Sequence, residues 1–273
     1  MVSIVIAVMN SADSLEKCIV SCLTQSYSNI ELIVIDGGSV DGSVDIIEKY
    51  SPQMAYWESN PDRGICHAWN KALKIIRGDW ICFLGADDYF WNGESVAELI
   101  PFLHMAEMSA IRIVYAKVAI VNSAGDILWI SGLPWEKIRR RFYSYMQLSH
   151  QGVMHHRSLF ECHGPFNENL SIAGDYELLL RELVSNKPLF ASDVILAAMV
   201  QGGKSNNPKN SMKMFREMHY ARMIHVSRLP SVYSIMRFLK VSTRILMVKL
   251  IGEQRTRRLI LAFRQSLRLE TVL

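Results

Sequence analysis

Apolar runs of strand length alternate with helical spacing through the first ninety residues. Val2–Val8 (VSIVIAV) is a β-rich run that ends in the polar turn Asn10-Ser11-Ala12-Asp13. Leu15, Cys18, Ile19, Cys22 and Leu23 then recur at helical intervals, predicting a helix over Leu15–Gln25. Glu31–Ile35 is a second strand, stopped by Asp36-Gly37-Gly38-Ser39, and Asp41–Tyr50 reads as a second helix. A short third strand over Met54–Trp57 precedes a helix over Gly64–Ile76, and Trp80–Leu84 is a fourth strand stopped by Gly85-Ala86-Asp87-Asp88. This β-α-β-α-β-α-β order predicts a mostly parallel sheet with helices on both faces. Ligands of such sheets bind beyond the carboxyl ends of the strands, so Asp36 and Asp87 should stand at the binding edge.

The second half is less regular. Ile111–Val121 and Ile127–Ile130 flank Asn122-Ser123-Ala124-Gly125-Asp126 and predict a hairpin. Val153–His156 reads as a strand, Ala173–Val184 as a helix opening on Gly174-Asp175, and Lys187–Val200 as a last strand or two. The fold class is therefore α/β, with a mixed-sheet second half. Domain bounds of 1–203 for the body (halves 1–105 and 106–203) and 204–273 for a helical extension follow from the loop at Gly202–Pro208.

Charge sharpens that division. The net charge of +4 hides 15 Lys and Arg against 23 Asp and Glu in residues 1–203, and 15 against 3 in 204–273. An acidic body joined to a basic tail points to two different partners. Residues 228–268 interleave Arg237, Lys240, Arg244, Lys249, Arg255, Arg257, Arg258, Arg264 and Arg268 with Phe238, Leu239, Ile245, Leu246, Leu250, Ile251, Leu259, Ile260 and Phe263. Such a helix suits an anionic membrane surface, or packs on the body with its cations solvated. No nucleic-acid recognition motif accompanies it. The five cysteines form no CxxC pair, which argues against a disulfide framework or a zinc site and fits a reducing cytoplasm. No secretory signal is visible, and no run reaches the roughly 18–20 apolar residues of a spanning helix.

Three acidic segments carry the candidate chemistry. In Asp36-Gly37-Gly38-Ser39 with Asp41, glycines permit close approach by a ligand and a carboxylate can accept from a base or ribose. A plain strand-to-helix turn with Asp41 as cap is the competing reading. The glycines follow the second strand without GxGxxG spacing, so this is no dinucleotide fingerprint. Asp87 and Asp88 suit a hard cation that prefers oxygen ligands, or a solvated turn. Asp62-Arg63-Gly64 could meet a phosphate or base at a helix start, or be a loop with Asp62 as cap.

Taken together, these segments resemble family 2 glycosyltransferases of the GT-A fold, of the bacterial kind that assemble O-antigen, capsule or exopolysaccharide. The match covers roughly residues 2–200. It runs through SIVIAVMN, ELIVIDGGSVDGS, ESNPDRGICHAWNKAL and GDWICFLGADD, then Leu148-Ser149-His150-Gln151, Gly164-Pro165-Phe166-Asn167 and Ala173-Gly174-Asp175-Tyr176. The resemblance implies that Asp36 pairs with the nucleotide base, usually uracil. It implies that Asn10 lines the nucleotide pocket, and that Asp62 and Arg63 lie near base and phosphates. Asp87, with Asp88 after it, matches the second acid of the family's DxD motif for Mn²⁺ or Mg²⁺. Asp175 matches the general base of inverting members, although without the resemblance it reads as a helix cap. Two departures stand out: Gly85 replaces the first DxD acid, and Met9 stands where an aromatic is common.

The implied reaction uses a UDP-sugar donor and a glycan acceptor, lipid-linked, at the cytoplasmic face of the inner membrane, with the protein peripheral to it. His150 and Gln151 are candidate sugar or acceptor contacts, though His150 could equally be structural. Trp135, in an expected loop, is the candidate exposed acceptor platform. His155 and His156 are adjacent on a strand and point to opposite faces, so they make no metal pair. One rival reading is a non-catalytic sugar-nucleotide-binding homologue serving as a membrane-bound assembly partner. Another is a nucleotidyltransferase, whose glycine-rich loop after the first strand is absent from Ala7-Val8-Met9-Asn10-Ser11.

Overall fold

The structure, a computed structural model, describes residues 1–201, 210–252 and 255–256. The first half alternates β1 (Val2–Val8), α1 (Ala12–Leu23), β2 (Ile30–Asp36), α2 (Ser43–Tyr50), β3 (Tyr56–Ser59), α3 (Ile65–Ala72) and β4 (Trp80–Gly85). β1 pairs in parallel with both β2 and β4, and β2 pairs in parallel with β3. In that register Val8 lies opposite Asp36, Ala7 opposite Gly85, and Asp36 opposite Ser59. The carboxyl ends of the four strands therefore share one edge, as the alternating pattern predicts.

The second half adds β5 (Tyr89–Phe90), α4 (Ser95–Met108), β6 (Ile113–Val121), β7 (Ile127–Ser131), α5 (Trp135–Phe142), β8 (Val153–His156), α6 (Arg157–His163), α7 (Gly174–Leu183) and β9 (Leu189–Val200). Helices α8 (Ser211–His225) and α9 (Val232–Ile251) follow. The strands form one sheet in the order β3-β2-β1-β4-β8-β6-β9-β5, with β7 hairpinned onto β6. β8 runs antiparallel to β4 and β6, which makes the second half mixed. Lys187–Val200 yields a single strand: its register on β6 jumps from Ala116–Ala191 to Lys117–Ile195, so Ser192, Asp193 and Val194 bulge out.

Strand alternation sends side chains to two cores. Ile4, Ile6 and Val8 face α1 and α4, with Leu15, Ile19, Leu99 and Leu103. Val5, Ile33, Ile35 and Phe83 face α3 and α7, with Trp69, Tyr176 and Leu180. Met218 and Ala221 of α8 join the second core. Helix α4 carries Val96, Leu99, Leu103 and Ala106 at helical spacing, with Pro101 inside it.

At the opposite, amino edge a buried carboxylate ties the strands together. Glu31 accepts from Ser3 Oγ at 2.5 Å, from the Arg77 backbone N–H at 2.5 Å and Nε at 2.9 Å, and from the Gly78 N–H at 3.2 Å. The result joins β1, β2 and the turn entering β4. Four donors compensate the cost of burying the charge. In Glu31→Gln the amide NH₂ would face donors. The expected loss, read by urea denaturation, is about 1–3 kcal/mol; an unchanged midpoint would remove this clamp from the account.

Candidate functional site

A cavity of about 520 Å³ opens at the carboxyl edge of the sheet. Its wall comes from the β1–α1 turn (Met9, Asn10, Ser11), from Asp13 in the first turn of α1, from Asp62, from the turn after β4 (Gly85 to Asp88), from His150 and Gln151, and from Gly174 and Asp175 at the start of α7. Trp69 and Phe83 also line it, and Met199 and Val200 contribute from the end of β9. Five aspartates line this cavity and, among the described residues, no lysine or arginine does.

The turns that follow β1 and β2 hold each other. Asn10 sits in the left-handed region at φ 51°, its N–H donates to Ser39 Oγ at 2.7 Å, and its Oδ1 accepts from the Val40 N–H at 3.0 Å. Asp36 is fully buried and is not part of the cavity wall. It accepts from the Gly38 and Ser39 N–H groups at 3.0 and 2.9 Å, from Ser39 Oγ at 2.5 Å and from Ser59 Oγ at 2.6 Å. The structure thus places Asp36 behind the site, organising the loop that supports Asn10. Asp41 ties the amino ends of two helices, accepting from the Ala12 N–H at 3.0 Å and the Ser43 N–H at 3.1 Å.

Asp62 lines the cavity and accepts from the Gly64 N–H at 2.7 Å. Gly37 allows its approach: a Cβ there would lie 2.6 Å from Asp62 Oδ2. Arg63 points elsewhere, pairing with Glu168 outside the cavity wall. The structure therefore brings Asp62 into the site and leaves Arg63 at its periphery.

The two acids after β4 separate. Asp87 is exposed in the cavity, whereas Asp88 is 2% exposed. Asp88 Oδ2 accepts from the Gly85 N–H at 3.1 Å and from Gln151 Nε2 at 2.8 Å. Burial, reinforced by the neighbouring charge of Asp87, pushes the Asp88 carboxyl up to about 8. Gln151 therefore positions Asp88. His150 is buried against the rings of Trp69, Phe83 and His155. That burial holds its pKa well below the ordinary histidine value, so it is neutral at pH 7. His150 Nε2 and Trp69 Nε1 have no protein partner among the described residues.

Asp175 is the second residue of α7, and its Oδ1 accepts from the adjacent Tyr176 N–H at 2.7 Å. The N-cap is Ala173, and no side chain of this helix caps it. The residue as a whole is half-buried, yet dense surroundings at its carboxyl push the pKa up to about 6.

Trp135 requires a correction. It opens helix α5 rather than lying in a loop, is 3% exposed, and packs against Phe142 and Tyr143. The run Trp135, Ile138, Phe142 is a buried helical stripe, so this indole is core and not an acceptor platform. Asp13 and Trp69 escape the sequence reading as site residues. Trp69 belongs to a helix whose spacing reports only packing, and Asp13 reads only as part of a polar turn with cap residues.

The family model described as Glycosyl transferase family 2 matches residues 3–160. The PGL/p-HBAD biosynthesis glycosyltransferase of Mycobacterium bovis (strain BCG / Pasteur 1173P2) is 24% identical over 263 residues, covering 94% of this chain and 98% of the relative. The Escherichia coli UDP-Glc:alpha-D-GlcNAc-diphosphoundecaprenol beta-1,3-glucosyltransferase WfaP is 38% identical over 104 residues, 38% of this chain and 41% of its own. Among solved structures, the mannosyltransferase PcManGT from Pyrobaculum calidifontis in complex with GDP-Man and Mn²⁺ matches at TM-score 0.64 and 16% identity, covering 98% of this chain and 80% of that one. That likeness establishes a shared GT-A fold, which accounts for the common sheet edge. With more than half of its length matched by the family model and an acidic cavity at that edge, the chain belongs to glycosyl transferase family 2 and is a glycosyltransferase.

Proposed function

We propose that the protein transfers a sugar from UDP to a hydroxyl of a lipid-linked glycan, with inversion, in surface polysaccharide synthesis. The observation that carries this reading is the cavity itself: five aspartates and, among the described residues, no lysine or arginine, at the edge where the fold presents ligands. A nucleoside diphosphate is an anion and is repelled by such a wall. A divalent cation resolves the conflict, since Mg²⁺ and Mn²⁺ take oxygen ligands and share them with substrate phosphates. The relative WfaP has a UDP-linked donor and a diphosphoundecaprenol acceptor in its name, which supports both halves of the reading.

The residues present fit a shared ion. Among the described residues no group of three or more His, Cys, Asp or Glu could enclose a metal. Asp87 offers exposed carboxylate oxygens in the cavity, and Asp88 is turned to Gln151 and Gly85. Asp87 would therefore hold the ion together with donor phosphates, with Asp88 buttressing the turn. Bound there, Mn²⁺ or Mg²⁺ supplies charge neutralisation on the leaving diphosphate.

Asp175 is the general base of this reading. As carboxylate it takes the proton from the acceptor hydroxyl while that oxygen bonds to C1 of the sugar. The bond from C1 to the diphosphate oxygen breaks with its electron pair, and the anomeric centre inverts. Asn10 and Asp62 border the nucleotide, and His150 borders the sugar as a neutral ring. Asp36 and Arg63 act by supporting loops.

Helix α9 supports a membrane contact. Val232, Met236, Leu239, Leu246 and Leu250 form an exposed stripe at i, i+3 and i+4 intervals. Lys240, Arg244 and Lys249 accompany it, and no acid lies between Glu217 and Glu253. Arg237 is already engaged, 4.6 Å over the Tyr145 ring. Among the described residues no helix is long and apolar enough to cross a membrane. The basic positions Arg257, Arg258, Arg264 and Arg268 lie outside the described residues. This reading places the enzyme peripherally on the cytoplasmic face of the inner membrane.

Four outcomes test it. Asp175→Asn abolishes transfer while UDP affinity is retained; a fully active variant refutes the base assignment. Because the Asp175 pKa lies near 6, the carboxylate form dominates above that value. The acid limb of kcat/KM should therefore rise through about pH 6, and a rate flat from pH 5 to 8 contradicts the assignment. Asp87→Ala should remove transfer and metal-dependent UDP binding together. Gly85→Asp, which rebuilds the missing first acid of the motif, should lower activity rather than raise it. A Cβ at Gly85 would stand 2.8 Å from Asp88 Oδ2 and 2.9 Å from Asp87 Oδ1, so a third carboxylate displaces the other two. A gain in metal affinity by that variant would contradict the shared-ion site.

A further inference from the structure

Resting on Asp175 as the base, we infer that Glu217 of α8 is its positioning residue, capping the amino end of α7 from a separate helix. Its Oε1 accepts from the Ser171 N–H at 3.2 Å and Oγ at 2.9 Å. Its Oε2 accepts from the Ile172 N–H at 2.8 Å and the Ala173 N–H at 3.0 Å. The first N–H groups at a helix start have no partner within the helix, and Ala173 offers none from its side chain. One carboxylate, 9% exposed, satisfies the approach to α7 and meets the positive end of the helix dipole. Asp175 follows two residues after the last of these donors.

The opposite side of the same loop is held by α3. Cys66 Sγ donates to the Leu170 carbonyl at 3.3 Å, and Gly174 packs on that sulfur so closely that a Cβ would collide with it. Residues 170–174 are thus gripped between α3 and α8, with Ser171 and Ile172 in the cavity wall. Helix α8 has independent anchors: Met218 and Ala221 sit in the core, and His225 Nε2 meets Glu177 Oε1 at 2.6 Å. Glu217 is therefore dispensable for docking α8 and specific to the loop. It lies outside residues 3–160, the stretch matched by the family model.

Charge gives the proposal a readout that packing alone does not move. The negative charge of Glu217 adds to burial in raising the Asp175 carboxyl. Titratable groups sharing the cavity wall with Asp175 are Asp13, Asp62, Asp87, Asp88 and His150; Cys66 packs against Gly174, with Glu168 and Glu177 near that thiol. None of these is altered by Glu217→Gln. That variant keeps the shape but turns an NH₂ toward backbone donors.

The experiment follows UDP release from UDP-glucose with water as acceptor, over pH 5–8, in the full chain with Mn²⁺. In Glu217→Gln, kcat should fall about 10- to 100-fold as the base loses its alignment, with KM and UDP affinity little changed. The acid limb should move to lower pH. Glu217→Asp keeps the charge but is one methylene too short; kcat should fall while the limb stays. A folded Glu217→Gln with wild-type kcat and limb overturns the inference. If that variant does not fold, Ser171→Ala decides: deleting one of the four bonds should lower kcat about 2- to 10-fold at constant KM, and wild-type kcat overturns it. An active Asp175→Asn would remove the base reading itself. An inactive Asp175→Asn beside an unaltered Glu217→Gln overturns this inference alone.

Discussion

Repulsion among carboxylates gathered at one sheet edge is the constraint around which the structure is arranged. Parallel pairing of β1 with β2 and β4 delivers acids to a common rim. Each acid is then managed differently. Asp36 is buried under four donors, and Asp88 is held by Gln151 and the Gly85 amide with its carboxyl raised to about 8. Asp175 is raised to about 6. Asp87 remains exposed in the cavity, which makes it the natural place for added positive charge.

The division of labour explains the glycine at position 85. With no side chain, Gly85 leaves room for Asp88 to fold back against its own turn. The same economy of space appears at Gly37, where Asp62 closes on the backbone, and at Gly174, where α7 closes on Cys66. Glycine here serves close approach to carboxylates and sulfur as much as turning.

Much of this was legible in the sequence. Strand-length apolar runs and the acids after them locate β1 to β4 and the rim, because in-register parallel strands translate chain order directly into position. The β6–β7 hairpin was legible from its Asn-Ser-Ala-Gly-Asp turn. Trp135 was misread because a helix of eight residues leaves a periodic signal too short to separate from a loop. Asp36 and Arg63 stand in the right segments, but side-chain direction is decided by partners: Ser39 and Ser59 for one, Glu168 for the other. Glu217 had no local signal at all. Its role arises from contact across some 45 residues of chain, which no spacing rule encodes.

The most direct test of the central claim is calorimetric titration of UDP, with GDP and CDP as controls, in the presence and absence of Mn²⁺. An acidic cavity that needs a cation to accept a diphosphate predicts UDP-selective binding that appears only with the metal. Equal UDP affinity without metal, or no binding of any of the three nucleotides by the folded protein, would contradict it.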